Sequence, residues 1–176
     1  MANTFTLIAS TTVGSGGASS IDFTSIPATY TDLVIKGSWR STQTGQKFTG
    51  IGYQFNGDTA SNYRGLLLYE VNSTPASYAD TALGGQIQFV SYAASADNTS
   101  NTFSSIDFYL PNYAGSNQKS VSGDATTENN ATDVGIQSLG AGLWTGTSAI
   151  TSIKINILSG TFVQYSTAYL YGIKNS

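Results

Sequence analysis

Apolar and polar residues alternate along several segments of this chain, which is the pattern of a half-buried β-strand. The clearest segment reads "LVIKGSWR", in which Leu33, Ile35 and Trp39 share one face. Lys36 and Arg40 fall on the opposite face, where we expect both charges to be solvated. A proline and a Thr-Tyr-Thr-Asp run precede the segment, as is typical of a turn that leads into a strand.

The same alternation predicts further strands, and looser apolar runs predict others. The regular ones cover residues 3–9, 102–110, 150–158 and 165–173, and the looser ones cover 47–55, 62–71, 85–91, 118–125 and 133–139. Short segments rich in Gly, Asn and Asp separate them, and most are too short to hold a crossover helix. The sequence therefore predicts an all-β fold, an antiparallel two-sheet sandwich that is jelly-roll-like, as a single domain over residues 1–176.

The last predicted strand carries apolar or aromatic residues on both faces. Ala168 and Leu170 point one way, and Tyr169 and Tyr171 point the other way. A strand with two apolar faces is usually covered on both sides. We therefore expect this strand to lie centrally in its sheet, with the two tyrosines near a further layer such as another subunit. The alternative is that their hydroxyls reach water from a half-exposed face.

Composition narrows the chemistry that the chain can perform. Its 176 residues include no cysteine and no histidine, which excludes disulfides, thiol nucleophiles and the commonest general base and metal ligand. Charged residues are 10% of the chain and the net charge is −3, so we expect no nucleic-acid partner. No apolar run approaches the length of a membrane span. We expect no enzyme activity, no cofactor and no metal.

Two aromatic residues in predicted loops are candidates for contact with a partner or a ligand. Tyr113 lies in "PNYAGSN" and Trp144 lies in "AGLWTGT". Such side chains serve sugar stacking and protein contacts equally well.

One oxygen-rich run is a weak candidate for cation binding. It reads "GDATTENNATD" and includes Asp124, Glu128, Asn130 and Asp133. Calcium prefers such oxygen ligands, but the spacing matches no loop with a fixed ligand pattern. A polar hairpin tip is the simpler interpretation.

Four longer segments carry a resemblance to known proteins. They are "TVGSGGASSIDFTSIPATYTDLVIKGSWRS", "TENNATD", "AGLWTGTSAITSI" and "FVQYSTAYLYGIK". Together they resemble a family of small virion-associated proteins of tailed bacteriophages, along nearly the whole chain. The resemblance implies a virion structural protein with a β-sandwich fold, and it transfers no site residues.

The resemblance also sets expectations about partners and location. It implies a capsid decoration (cement) or head-surface subunit, a homotrimer that contacts the major capsid protein or other virion proteins. An alternative is the tip domain of a tail or head fibre that binds host surface carbohydrate. The first residues, "MANTFTLIASTTVGSGG", lack the pattern of a secretion signal, so we expect assembly in the host cytoplasm.

Overall fold

A computed structural model describes residues 4–71, 74–127 and 135–174. These residues form twelve β-strands and no helix, so none of them belongs to a helix that could span a membrane. The strands are β1 Phe5–Thr12, β2 Ser20–Phe23, β3 Asp32–Trp39, β4 Phe48–Phe55, β5 Tyr63–Val71, β6 Thr74–Leu83, β7 Ile87–Ala94, β8 Ser104–Leu110, β9 Lys119–Thr127, β10 Ile136–Trp144, β11 Ile153–Ile157 and β12 Thr167–Ile173.

The strands form two antiparallel sheets, which confirms the predicted fold class. The larger sheet has eight strands in the order β1-β12-β3-β8-β9-β10-β5-β6, and the smaller one has four in the order β2-β11-β4-β7. The predicted strands all have counterparts, whereas β2 and β6 were missed. β2 spans only four residues. β6 contains Pro75, a residue that is tolerated in a sheet mainly at an edge, and β6 is the edge strand here.

The pairing of eight strands follows the jelly-roll pattern. Strands pair from the ends of the chain inward: β1 with β12, β2 with β11, β3 with β8 and β4 with β7. This ribbon then closes on itself, because β12 also pairs with β3 and β11 also pairs with β4. Two hairpins, β5–β6 and β9–β10, are inserted into this frame and extend the larger sheet beyond β8.

The core lies between the two sheets and is rich in aromatic residues. Tyr53 of the smaller sheet stacks on Phe108 of the larger one, with ring centroids 4.0 Å apart. The Tyr53 hydroxyl, fully buried, lies 2.8 Å from Ser91 Oγ, which satisfies it. Trp39 packs edge-on against Phe162, and both are fully buried. The face of β3 that begins at Leu33 is therefore the core face, as predicted.

Glycines bring the inserted strands close to the smaller sheet. A Cβ atom at Gly140 would lie 2.6 Å from the backbone of Val90 in β7, and one at Gly142 would lie 2.8 Å from Ile87. Neither approach leaves room for a side chain. β10 therefore approaches β7 more closely at these two positions than a residue with a side chain would allow.

Candidate functional site: the outer face of the larger sheet

The outer face is defined here as the side chains of the eight-stranded sheet that point away from the four-stranded sheet. It carries most of the exposed large apolar or aromatic side chains among the described residues: Phe5, Leu7, Leu66, Leu68, Tyr109, Leu139 and Tyr169. Exposed apolar side chains that lie together, unlike isolated ones, mark sites of interaction. The outer face is therefore the first candidate for a functional surface.

The part of the outer face over the inserted strands is a shallow groove. Leu139 of β10 lies directly opposite Leu68 of β5, and their side chains are 64% and 54% exposed. They form one wall with Leu66, while Tyr109 stands on the other side. The depression between them has a volume of about 550 Å³. A second depression of about 740 Å³ shares Leu68 and Leu139 and continues along the same strands. We call the two together the leucine groove.

Two carboxylates lie at the edge of the leucine groove. Asp107 of β8 and Asp124 of β9 are directly opposite each other across the two strands, and Asp124 is in turn opposite Leu139. Lys36 of β3 forms an ion pair with Asp107. Two acids and one base leave this row of the sheet with one net negative charge. Partial desolvation raises the pKa of Asp124, which is nevertheless exposed; the Asp107 carboxylate raises this pKa further and Lys36 lowers it.

A second, aromatic part of the outer face lies over β12 and β1. The rings of Tyr169 and Tyr171 stack with centroids 6.5 Å apart, and Phe5 meets Tyr171 edge-on. Tyr169 is 39% exposed and Tyr171 is half-buried, while Ala168 and Leu170 on the other face are fully buried. β12 pairs with strands on both sides, as a central strand would, but it is second from the edge of the sheet, so the predicted central position was wrong. The proposed subunit contact of the two tyrosines stays a prediction.

The structure corrects the expectation that Tyr113 and Trp144 contact a ligand or a partner. Tyr113 is 0% exposed, and its hydroxyl donates a hydrogen bond to the Pro27 carbonyl. Trp144 is 3% exposed, stacks on Tyr63 and donates a hydrogen bond of 2.7 Å to Asp58 Oδ2. Both rings belong to the main hydrophobic core.

The oxygen-rich run is only partly described by the structure. Asp124 lies on β9 at the edge of the leucine groove, whereas Glu128, Asn130 and Asp133 fall outside the described residues. Among the residues that are described, no group of three or more acidic side chains could hold a metal ion.

The structure also corrects the prediction that Arg40 is a solvated charge. Its side chain is only 8% exposed. The guanidinium donates five hydrogen bonds of 2.8 to 3.1 Å to oxygens of the loop that precedes β8, four of them backbone carbonyls: those of Ala96, Asn98, Thr99 and Thr102, with Thr102 Oγ1 as the fifth. Burial lowers the pKa of Arg40. This arginine holds a loop in place, and the alternation failed here because β3 ends at Trp39.

The leucine groove was not predicted from the sequence, although one signal was present. The segment "GLLLYEV" of β5 has apolar residues on both faces, just as the last strand does. That pattern alone indicates that Leu66 and Leu68 lie outside a core that already holds Leu67. The position of Leu139 opposite Leu68 depends on strand register, which alternation does not specify.

Comparisons with known proteins identify no family for this chain. No family model matches the chain, and no curated protein matches it. Among solved structures, it is weakly similar to the crystal structure of an infectious bursal disease virus VP2 subviral particle, with 12% sequence identity and a TM-score of 0.12. The alignment covers 96% of this chain and 39% of that chain. A TM-score this low does not establish a shared fold.

Proposed function

We propose that this chain is a structural subunit of a bacteriophage virion, a capsid decoration or other head-surface protein that acts through protein–protein contacts. The observation that carries the proposal is the leucine groove, where Leu66, Leu68 and Leu139 are 49%, 54% and 64% exposed side by side. A folded protein gains by covering such a surface, since each buried methylene group is worth about 0.8 kcal/mol. A partner protein is the natural cover.

The jelly-roll connectivity supports the proposal in part. This architecture occurs in viral capsid domains, lectins and cupins, so it is compatible with a virion role without deciding it. A lectin-like role needs exposed rings on which sugars stack. Tyr113 and Trp144, which favoured such a role in the sequence, are buried, whereas Tyr165 is 66% exposed. The exposed side chains of the leucine groove are mainly aliphatic, so protein contact is the better supported of the two roles.

The composition and the sequence resemblance support the same conclusion. The surface relies on hydroxyl and amide groups, with charged residues only 10% of the chain. Neutral hydrogen bonds at an interface are not screened by salt, whereas charge pairs are, which suits a particle that meets varying ionic strength. The resemblance to small virion proteins of tailed phages extends over nearly the whole chain.

The direct experiment is to purify particles of the phage that encodes the chain on a density gradient and to count copies per particle by mass spectrometry. We expect a constant copy number across the particle peak, and enrichment with heads when heads and tails are separated. Recovery only in the soluble fraction would reject the virion role. Recovery with tails, together with binding of host glycans, would favour the fibre-tip alternative.

The proposal includes assembly as a homotrimer. Light scattering on the purified protein should give three times the 18.4 kDa chain mass. A monomer at micromolar concentration would contradict the trimer while leaving the virion role to the particle experiment.

A further inference from the structure

The leucine groove combines an apolar wall with an excess of negative charge, and this combination defines what it can bind. The row that crosses β3, β8, β9, β10 and β5 reads Lys36, Asp107, Asp124, Leu139 and Leu68. Directly opposite side chains on neighbouring strands have Cβ atoms about 5 Å apart. One end of the row is therefore charged and the other is aliphatic, and the single step of about 5 Å from Asp124 to Leu139 is within the reach of one long side chain.

Asp124 is the exposed acidic residue of this row, and it has no partner of its own in the described part of the fold. Its carboxylate has neither a hydrogen bond nor an ion pair with any residue that the structure describes, whereas Asp107 has Lys36. Like charges directly opposite each other across two strands are destabilising. The Asp124 carboxylate is exposed, and Lys36 offsets part of the repulsion from Asp107, which still raises the pKa of Asp124. A cation placed at this point would relieve the repulsion.

We propose that the leucine groove binds a segment of another protein that presents an arginine or a lysine flanked by apolar residues. The cationic head lies against Asp124 and Asp107, and the aliphatic stem covers Leu139. The ring of Tyr109, which is 36% exposed on the facing wall, offers a cation–π contact to the same head group. The flanking apolar residues cover the rest of the leucine wall. The inference deepens the proposed function and rests on it, because it names the chemistry of the protein partner.

Charge and shape argue against the other occupants. A second copy docked face to face would bring two negative rows together. An anionic ligand meets the same repulsion. A sugar gains most from aromatic platforms and paired hydrogen bonds, whereas the wall opposite Tyr109 consists of leucine side chains.

The test uses a dye-labelled synthetic peptide, acetyl-Ala-Leu-Arg-Leu-Ala-amide, and a second peptide in which neutral citrulline replaces the arginine. Fluorescence anisotropy with the full chain should give a dissociation constant in the millimolar range for the first peptide and no saturation for the second. Asp124→Asn should weaken binding about fivefold. The matched control is Asp22→Asn, which removes the same charge from an exposed position on the smaller sheet.

Melting curves separate a binding role from a structural one. Asp124→Asn should raise the melting temperature, because it removes the repulsion from Asp107 and breaks no hydrogen bond or ion pair among the described residues. The inference is overturned by a lower melting temperature, by equal binding of the citrulline peptide, or by an equal loss of binding in Asp22→Asn. It is also overturned by Asp124-dependent binding of neutral oligosaccharides or by Asp124-dependent self-association.

The particle experiment distinguishes failure of this inference from failure of the proposed function. A chain that joins particles while the arginine peptide fails to bind keeps the virion role and loses the groove partner. A chain that binds the peptide yet never joins particles keeps the groove partner and loses the virion role.

Discussion

Replacing Arg40 with methionine tests whether a single buried cation holds the loop that leads into β8. The guanidinium is the donor in five hydrogen bonds to oxygens between Ala96 and Thr102. Methionine has a similar length and no donor, so Arg40→Met should leave those oxygens without their partner. The loop would keep its contacts with the 43–47 segment, such as the 2.9 Å bond from the Ala96 amide to the Gln43 carbonyl, and its internal bonds, such as the 3.2 Å bond from the Thr102 amide to the Thr99 carbonyl.

The magnitude follows from how deeply each of these bonds is buried. The bond to the Asn98 carbonyl is buried, and the other four are part-buried, so their acceptors can take water instead. One buried polar group left without a partner costs about 1–3 kcal/mol, and the four others add a smaller amount. We therefore expect Arg40→Met to lower the free energy of unfolding by about 3 kcal/mol. In a chain of this size that lowers the melting temperature by about 6–12 °C.

Thermal melting followed by circular dichroism measures the change, with Lys154→Met as the control. Lys154 is exposed on the smaller sheet, so the same loss of a cation there should shift the melting temperature by no more than about 2 °C. Hydrogen exchange should also accelerate at the amides of residues 96–102 in Arg40→Met. An Arg40→Met protein that melts like the control, or whose loop amides exchange as in the wild type, would refute this account of the arginine.

Three further predictions follow from packing and burial. Gly140→Ala should destabilise the fold by about 1–3 kcal/mol, because a Cβ there would lie 2.6 Å from the β7 backbone; an unchanged denaturation midpoint would contradict this. Burial raises the pKa of Tyr63 and Tyr92 to about 12. Unfolded tyrosine titrates at about pH 10, so this contribution to stability is complete below that pH and is lost as the pH rises towards the folded-state values. The share of the tyrosinate absorbance that belongs to these two of the 11 tyrosines should appear only with unfolding, and complete ionisation of all tyrosines in a folded chain would disprove the burial. Replacing both Tyr169 and Tyr171 with serine should spare the fold yet weaken assembly, and wild-type light scattering would disprove the interface.

Alternation along the chain predicted the strands because each strand places one face on the core. It predicted the inward face of β8, where Ile106 and Phe108 are buried and Asp107 and Tyr109 point outward. It could not predict the order of the strands. Alternation identifies the buried face of a strand without identifying its neighbour, and the jelly-roll pairing joins segments as distant as β1 and β12.

The candidate site was harder to predict for the same reason. Asp107 and Asp124 are separated in sequence and meet only through the register of β8 and β9. For Tyr113 and Trp144 the sequence predicted exposure, and the structure shows burial. Position in a loop suggested exposure for Tyr113, but the loops at the ends of a sandwich fold over the open core, and large rings there become part of it.

The measurement that tests the central claim most directly is the addition of purified chain to particles that lack it, comparing wild type with Leu139→Ser. Leu139 is 64% exposed, so the variant should fold normally and melt within about 2 °C of wild type. The account predicts that wild type restores a full complement of copies on the particle, that Lys154→Met does the same, and that Leu139→Ser binds at a clearly lower occupancy. Equal occupancy of Leu139→Ser and wild type would show that the leucine groove is not the surface that joins this chain to the virion.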